Sequence, residues 1–207
     1  MSASTTSDRD VFDSSSVSAQ LLVRLEETGA LLSGHFRLSS GLHSDRYIQC
    51  ARLLSIPRHA AFVGSMLAAQ VRAEGLGPVD VVMGPALGGI IIAHEVARAL
   101  DVPSLFAERE AGALTLRRGF SLAAGSRVLV VEDVITTGGS AWETAELVRS
   151  LGSQVVGFAS IVLRGAAPQL SPLCALYQVR PALYPPQDCA LCLDQVPIQK
   201  PGSRSLP

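Results

Sequence analysis

The sequence predicts an α/β fold in which a mostly parallel central sheet is flanked by helices and preceded by a small N-terminal hood. Short apolar runs alternate with amphipathic helical patterns through the middle of the chain. The run Arg127–Val131 is apolar without interruption, as expected of a strand that is covered on both faces. Gly and Pro separate these segments without an internal repeat, so we expect the 207 residues to form one main domain with a small appendage.

The N-terminal region divides into a tail and the hood. Residues 1–16 are rich in Ser, Thr and Asp, and we expect them to be disordered because they offer almost nothing to bury. From Val17 onward, apolar residues recur at helical spacing. Residues 34–41 alternate between apolar and polar, which predicts a short strand, and residues 47–49 are its expected partner. Residues 17–56 are therefore the predicted hood.

Residues 57–180 are predicted to form the main domain. In chain order we expect a helix, a strand, a helix, a strand, a polar segment, a strand, a helix, a strand and an edge strand. Their expected bounds are 57–73, 79–83, 90–100, 102–106, 107–126, 127–131, 138–151, 154–163 and 174–179. The polar segment 107–126 is long for a compact domain, which is typical of a functional lid. The Pro-rich residues 181–207 are expected to be irregular.

Composition and charge exclude several classes of protein. Hydrophobic residues make up 48% of the chain and charged residues 17%, which is sufficient for a sizeable core. A net charge of −1 gives no general attraction to nucleic acid or to an acidic membrane, so local features have to bind any anionic ligand. The sequence shows no signal-peptide pattern and no apolar run of membrane-spanning length. We therefore expect a cytoplasmic protein with neither nucleic acid nor membrane as a partner.

The strongest functional signal runs from Val128 to Ser140. An apolar strand delivers two adjacent acids, Glu132 and Asp133, to its carboxyl end, where parallel sheets bind ligands. The following turn combines hydroxyls with bare backbone at the start of a helix, whose free amides attract an anion. The turn lacks the Gly-Lys-Ser/Thr of a Walker loop. Its residues are Val134, Ile135, Thr136, Thr137, Gly138, Gly139 and Ser140.

This pattern is typical of a site for a sugar phosphate. The acids would repel a phosphate, so their natural partners are ribose hydroxyls or a bound Mg²⁺, while the turn holds the anion. The alternative is an ordinary capped turn between a strand and a helix. Capping requires a single Ser or Thr, and it explains neither the paired acids nor the Thr-Thr-Gly-Gly sequence.

The stretch Val128–Ser140 resembles the signature of the type I phosphoribosyltransferases. The resemblance implies the fold of that family and binding of phosphoribosyl pyrophosphate (PRPP) with Mg²⁺. It also implies that a nitrogen nucleophile displaces pyrophosphate from the anomeric carbon. In that family the acids, here Glu132 and Asp133, hold the ribose hydroxyls, and the Thr-Gly-Gly-Ser loop holds the 5′-phosphate.

Further segments resemble the orotate-specific members of this family, over about residues 18–204. They are the hood segment 34–44, the loop 84–89, the lid residues 107–110 and 116–119, the strand end 163–165 and the C-terminal residues 189–204. The resemblance implies transfer of the phosphoribosyl group to orotate, which gives orotidine 5′-monophosphate and pyrophosphate in pyrimidine biosynthesis. It also implies a homodimer in which the lid of one subunit covers the site of the other.

Individual side chains can be placed in this scheme. Arg164, Tyr47 and Thr136 are the expected orotate ligands, since a planar guanidinium matches a carboxylate and an aromatic ring can stack on a pyrimidine. Arg109 is expected to act in catalysis, and the lid arginines as a group are expected to bind the pyrophosphate. They are Arg109, Arg117 and Arg118. The plainer interpretations are a surface arginine after a strand, a packed tyrosine and a solvated charged loop.

Several positions depart from the better-known members of this family. Those members carry lysines where Ser39 and Gly88 stand, and an arginine, a lysine and a histidine where Glu108, Gly112 and Leu114 align. Arg117 or Arg118 can therefore replace the catalytic lysine. Two other functions stay open: transfer to a purine or to uracil, which does not require Arg164, and a regulator that senses PRPP and binds nucleic acid through a basic face.

The cysteine content raises the question of a metal. Cys189 and Cys192 form a C-x₂-C pair, but a tetrahedral zinc site needs two more ligands and the sequence has no second pair. The histidines are not at ligand spacing in the sequence; they are His35, His43, His59 and His94. We therefore expect no metal ligands within one chain, and a site shared across a dimer stays open.

Overall fold

Two sheets organise residues 14–38, 40–166 and 168–201, which are the part of the chain that the computed structural model describes. The larger sheet has six strands and the smaller has four. The helices are α1 (Ser14–Glu27), α2 (Ala51–Leu54), α3 (Pro57–Ala73), α4 (Gly88–Leu100), α5 (Gly139–Ser150) and α6 (Ala190–Leu193). The strands are β1 (Leu31–Arg37), β2 (His43–Ile48), β3 (Val81–Pro85), β4 (Ser104–Glu110), β5 (Ala113–Leu116), β6 (Arg127–Ile135), β7 (Gln154–Arg164), β8 (Leu173–Val179), β9 (Leu183–Tyr184) and β10 (Ile198–Gln199).

The larger sheet has the strand order β5-β4-β3-β6-β7-β8, in which every pair is parallel except β4–β5. The chain steps outward from β3 to β4 and then returns to the other side of β3 with β6. This reversal places the carboxyl ends of β3 and β6 side by side. Ligands of parallel sheets bind at such a switch point, so the fold presents the end of β6 as the site. The predicted α/β class is confirmed.

Helices cover both faces of this sheet. Apolar side chains of α1, α3 and α4 pack with β3, β6, β7 and β8 in the main core. On the opposite face, α5 packs against β6 and β7 through a smaller cluster that includes Ile135, Ala145 and Phe158. Both faces of β6 are therefore covered, which explains why its sequence reads as an unbroken apolar run.

The smaller sheet is the hood, and both ends of the chain build it. Its strand order is β10-β1-β2-β9, so the hairpin of β1 and β2 lies between two short strands from the C-terminal segment. The prediction that residues 181–207 are irregular is wrong for this part. Main-chain hydrogen bonds to the hood edges order the segment although its strands are only two residues long. A strand this short has no apolar periodicity, so sequence patterns cannot reveal it.

The polar segment 107–126 also has more structure than its sequence predicts. β4 continues to Glu110, turns at Ala111 and Gly112, and returns as β5. Both turn residues have positive φ values, 49° and 91°, as in a tight two-residue hairpin. We call residues 107–120 the lid. Position 112, where a catalytic lysine aligns in better-known members, is therefore the tip of this turn.

The helical structure extends further toward the N-terminus than the sequence predicts. α1 begins at Ser14, three residues before the expected start at Val17, and Ser18 Oγ donates to the carbonyl of Leu176, 2.6 Å away. The rest of the expected tail, residues 1–13, and residues 202–207 lie outside the described residues, as does Ser39. Within the described part of the chain, no helix combines the length and apolar character needed to cross a bilayer.

Candidate active site

The junction between β6 and α5 forms an open cavity of about 210 Å³. Its lining is polar and comes almost entirely from the predicted motif. The lining residues are Glu132, Val134, Ile135, Thr136, Thr137, Gly138, Gly139, Ser140 and Glu143. Thr136, Thr137 and Ser140 are exposed, so their hydroxyls are accessible to a ligand. The sequence prediction thus identified all but Glu143 of this wall.

The start of α5 supplies unpaired backbone amides to this cavity. Gly138 precedes the helix with φ 80°, a left-handed conformation that favours glycine, and no side chain caps the helix there. The first helical hydrogen bond runs from the Trp142 N–H to the Gly138 carbonyl, at 2.8 Å. The amides of the residues between them have no acceptor within the helix, and together with the helix dipole they favour an anion.

The paired acids are held in a poorly solvated environment. Burial, and secondarily the neighbouring Asp133, raises the pKa of Glu132 to about 8. Burial also raises the pKa of Asp133, against the lowering effect of backbone N–H groups. One of these groups is the Val134 N–H, which donates to Asp133 Oδ1 at 2.9 Å. Hydroxyl donors or a cation at these carboxylates would restore the solvation that burial removes.

Asp133 lies toward the neighbouring loop that follows β3. A Cβ atom on Gly88 would lie 2.6 Å from Asp133 Oδ1, so only glycine leaves room for the carboxylate in this position. This contact gives a physical reason for Gly88, where better-known members carry lysine. Behind the acid, the buried Cys50 thiol donates to the Asp133 carbonyl across 3.8 Å, and burial raises its pKa so that it stays protonated.

The three residues expected at the orotate site converge on the next strand end. Ile135 pairs with Leu163, so Thr136 and Arg164 follow side by side at the carboxyl edge of the sheet. Arg164 is half-buried; burial lowers its pKa, while the nearby Tyr47 hydroxyl raises it. No described residue forms a hydrogen bond or ion pair with its guanidinium. A desolvated cation without a partner is a binding site for an anion.

Tyr47 is a packed residue of the hood, and its stacking on the pyrimidine stays a prediction. Its ring packs at a tilt on Phe36, with 5.8 Å between centroids, and this contact fixes the ring within the hood. The ring is half-buried, and its hydroxyl is close enough to Arg164 to affect the pKa of the guanidinium. Tyr47 therefore links the hood to the strand end of the main sheet that carries Arg164.

The lid arginines are paired with acids. Arg118 forms two hydrogen bonds of 2.7 Å with Glu108, and Arg117 lies 3.5 Å from Glu110. Arg109 binds Glu143 at 2.6 Å, which neutralises the one acid that the start of α5 contributes to the cavity. Arg109 thus reaches the edge of the site through Glu143, whereas neither Arg117 nor Arg118 lines the cavity.

The metal prediction is wrong about the histidines. His35, His43, Cys189 and Cys192 lie together, with their ligand atoms all within 4.8 Å of one another. The residues are far apart in sequence, but the β1–β2 hairpin aligns the histidines and the C-terminal segment pairs beside β1. Linear spacing carries no signal of such a contact. Sequence reasoning also missed Glu143 and Cys50, whose roles depend on packing.

Comparison with known proteins places this site in a family. A profile of the phosphoribosyl transferase domain matches residues 52–172. The chain is 50% identical over 189 residues to an orotate phosphoribosyltransferase of Pelotomaculum thermopropionicum, covering 90% of this chain and 98% of that protein. It is 48% identical over 184 residues to one of Thermotoga maritima, covering 88% of this chain and 97% of that protein.

Solved structures give the same result. The crystal structure of orotate phosphoribosyltransferase from Aeropyrum pernix matches with a TM-score of 0.66 and 30% identity, over 77% of this chain and 93% of that chain. The enzyme of Mycobacterium tuberculosis H37Rv in complex with inorganic phosphate matches with a TM-score of 0.63 and 28% identity, over 79% and 96% of the two chains. The resemblance inferred from the motifs is therefore confirmed.

Proposed function

The chain belongs to the phosphoribosyltransferase family, and on this premise we propose how it performs orotate phosphoribosyl transfer. The reaction joins orotate to the ribose of PRPP and releases pyrophosphate, giving orotidine 5′-monophosphate for pyrimidine biosynthesis. Relatives about 50% identical over most of the chain support this activity. The observation that carries the assignment of roles is the polar cavity after β6 with Arg164 beside it, whose guanidinium has no hydrogen-bond or ion-pair partner among the described residues.

The β6–α5 junction holds the donor. The exposed hydroxyls of Thr136, Thr137 and Ser140 and the free amides at the start of α5 bind the 5′-phosphate. Glu132 and Asp133 accept hydrogen bonds from the ribose hydroxyls. As the anomeric carbon develops oxocarbenium character, two nearby carboxylates in a poorly solvated site stabilise its positive charge. This electrostatic effect requires both groups to be ionised in the complex.

Arg164 and its neighbours hold the acceptor. The guanidinium of Arg164 binds the orotate carboxylate through a planar pair of hydrogen bonds, Thr136 contacts the pyrimidine edge, and Tyr47 covers it from the hood. The nucleophile N1 then faces the ribose on the side opposite the pyrophosphate. Positioning and charge account for the acceleration, and no covalent intermediate with the protein is needed.

Mg²⁺ fits the donor set of this site, since carboxylate and phosphate oxygens are its preferred ligands. Glu132 and Asp133 are the protein groups that would hold it together with PRPP. Bound there, it neutralises the negative charge of the departing pyrophosphate.

The experiment that tests the acceptor site is Arg164→Ala. We expect KM for orotate to rise by about 30-fold or more, as for a lost charged hydrogen-bonded pair, with little change in PRPP affinity. Arg180→Ala is the matched control, because Arg180 is an exposed arginine that follows the adjacent strand β8. Equal orotate kinetics in the two variants would exclude the proposed role and reopen the purine or uracil assignment.

We further propose a homodimer in which the lid acts on the neighbouring site. Arg117 and Arg118 do not line the cavity of their own chain, and in this conformation acids compensate their charge. Closure onto the partner subunit would exchange those acids for pyrophosphate, excluding water at the same time. Mixing inactive Arg118→Ala with inactive Asp133→Asn should restore activity, since a mixed dimer contains one intact site. Two variants that stay inactive when they are confirmed to form mixed dimers would contradict the shared lid.

A further inference from the structure

A second cluster of chemically reactive side chains lies in the hood, away from the transferase site. His35 comes from β1, His43 from β2, and Cys189 and Cys192 from the C-terminal segment around α6. His35, His43 and Cys189 are buried and Cys192 is exposed. None of the four lines the cavity at the β6–α5 junction, so the phosphoribosyl transfer does not use them.

Three sulfur–nitrogen distances within this cluster fall in the range found around a tetrahedral ion, and all four ligand atoms lie within 4.8 Å of one another. Cys192 Sγ lies 3.4 Å from His43 Nδ1 and 3.8 Å from His35 Nε2, and Cys189 Sγ lies 3.5 Å from His35 Nε2. Zinc bonds of ~2.3 Å to sulfur and ~2.0–2.1 Å to nitrogen place ligand atoms on a tetrahedron roughly 3.3–3.8 Å apart. The two ring nitrogens, 3.0 Å apart, are slightly closer than this.

The tautomer of His35 also favours metal binding. His35 Nδ1 lies 2.8 Å from the carbonyl oxygen of Val196, which can only accept a hydrogen bond. The Nδ1 atom therefore carries the proton, and the lone pair of Nε2 is directed into the cluster. A ligating histidine usually donates its other N–H to a carbonyl or carboxylate in this way, which fixes the ring orientation.

Few buried contacts attach the C-terminal segment, residues 181–201, to the rest of the protein. Among residues 181–201, Cys189 is the single buried residue, while Leu183, Leu193 and Ile198 are about half exposed or more. The segment otherwise attaches through two-residue strand pairings, the hydrogen bond between His35 Nδ1 and the Val196 carbonyl, and one from the Ala182 N–H to Asp45 Oδ1 at 2.8 Å. Little apolar surface is buried in this segment, so a metal shared with the hood would add substantially to what holds it in place.

We propose that His35 Nε2, His43 Nδ1, Cys189 Sγ and Cys192 Sγ bind one structural Zn²⁺ that joins the C-terminal segment to the hood. Four protein ligands close the coordination sphere, which is the arrangement of structural zinc and leaves no position for a substrate. Two imidazoles with two thiolates favour zinc over the hard cations Mg²⁺ and Ca²⁺. A disulfide between Cys189 and Cys192 is the competing chemistry, and it gives no function to the histidines.

The test is metal binding by the full-length protein. Reduced, metal-free protein is titrated with zinc sulfate alone, and separately with cobalt chloride alone. We expect one equivalent per chain for each metal, the visible absorption of tetrahedral Co²⁺, and a thiolate-to-cobalt charge-transfer band. Cys192→Ser should lose about half of that band, because one of the two thiolates is removed. His94→Ala is the matched control, an exposed histidine on α4 outside the cluster, and should bind as the wild type does.

A second experiment measures whether the metal stabilises the attachment of the C-terminal segment to the hood. Removing zinc with a chelator should accelerate amide hydrogen exchange in residues 183–199, while β6 and α3 keep their protection. Absence of stoichiometric binding by the wild-type chain would overturn the proposal, and so would a cobalt complex without the thiolate band. Retention of the full charge-transfer band by Cys192→Ser would also overturn it. Because binding by the wild-type chain is measured directly, the zinc site remains testable even where a variant fails to fold.

Discussion

Replacing Glu132 by glutamine is expected to stabilise the ligand-free protein in mildly alkaline solution. Burial and the neighbouring Asp133 raise the pKa of Glu132 from 4.5 to about 8. In the unfolded chain this acid ionises near pH 4.5, whereas in the folded chain it stays protonated to about pH 8. The stability that the protonated Glu132 side chain contributes is therefore complete below the unfolded pKa. This contribution falls as the pH rises above that value and is lost once the pH has passed the folded pKa. Glutamine does not titrate and avoids this loss.

The magnitude follows from the same pKa values. A rise from 4.5 to about 8 corresponds to an upper limit of roughly 5 kcal/mol, at about 1.4 kcal/mol per pH unit. Solvent reaches part of this side chain, so we expect about 1–3 kcal/mol between pH ~5 and pH ~9. For a domain of this size, ~2 kcal/mol shifts Tm by roughly 4–8 °C. Transferase activity should fall at the same time, because the variant lacks one of the carboxylates assigned to the ribose.

The assay is thermal unfolding of both proteins across this pH range, without PRPP. The difference in Tm, variant minus wild type, should be small near pH 5, grow up to about pH 8 and then level off toward pH 9. Glu146→Gln, at an exposed glutamate on the same side of the sheet, is the control and should show no such trend. A difference that stays constant with pH, or that favours the wild type in alkali, would refute the assigned desolvation of Glu132.

Two further predictions concern the phosphate cradle and the acids. Gly138→Ala should destabilise the protein by about 1–3 kcal/mol, because φ is 80° and the added Cβ would lie 2.9 Å from Leu170 Cδ1. Gly139→Ala should cost far less, as its Cβ meets only Thr137 Oγ1 at 3.9 Å; equal unfolding free energies would contradict this reasoning. Binding of PRPP with Mg²⁺ near pH 7 should release up to about one proton, because it selects the ionised form of Glu132. Calorimetry in buffers of different ionisation enthalpy measures that number, and a value of zero would show that the acid is already ionised.

Local sequence patterns predicted the central sheet and the residues that line the cavity at the β6–α5 junction. The cradle from Thr136 to Ser140 lies on one continuous strand, turn and helix start, so its composition alone identifies it. Sequence composition also identified Glu132 and Asp133, because these residues come shortly before the cradle along the chain. Arg164 was correctly placed at a strand end, because parallel strands bring their carboxyl ends to one edge.

Other features depend on contacts between distant segments, and tertiary structure alone decided them. The raised pKa of Glu132 comes from burial, and the space that the Asp133 carboxylate occupies depends on Gly88, the first residue of α4. The pairing of Arg109 with Glu143 requires the lid to fold back over α5.

The sequence by itself thus determined the β6–α5 junction and the strand that leads into it, because apolar periodicity, turn chemistry and helix starts are local properties of the chain. The sequence also predicted the central hairpin of the hood, but the tertiary structure decided the rest of the hood. Its edge strands are too short to leave a periodic signal, and its His and Cys residues meet through strand pairing between the two ends of the chain. Such contacts are set by the free energy of packing the whole domain, which the spacing of residues in the sequence does not encode.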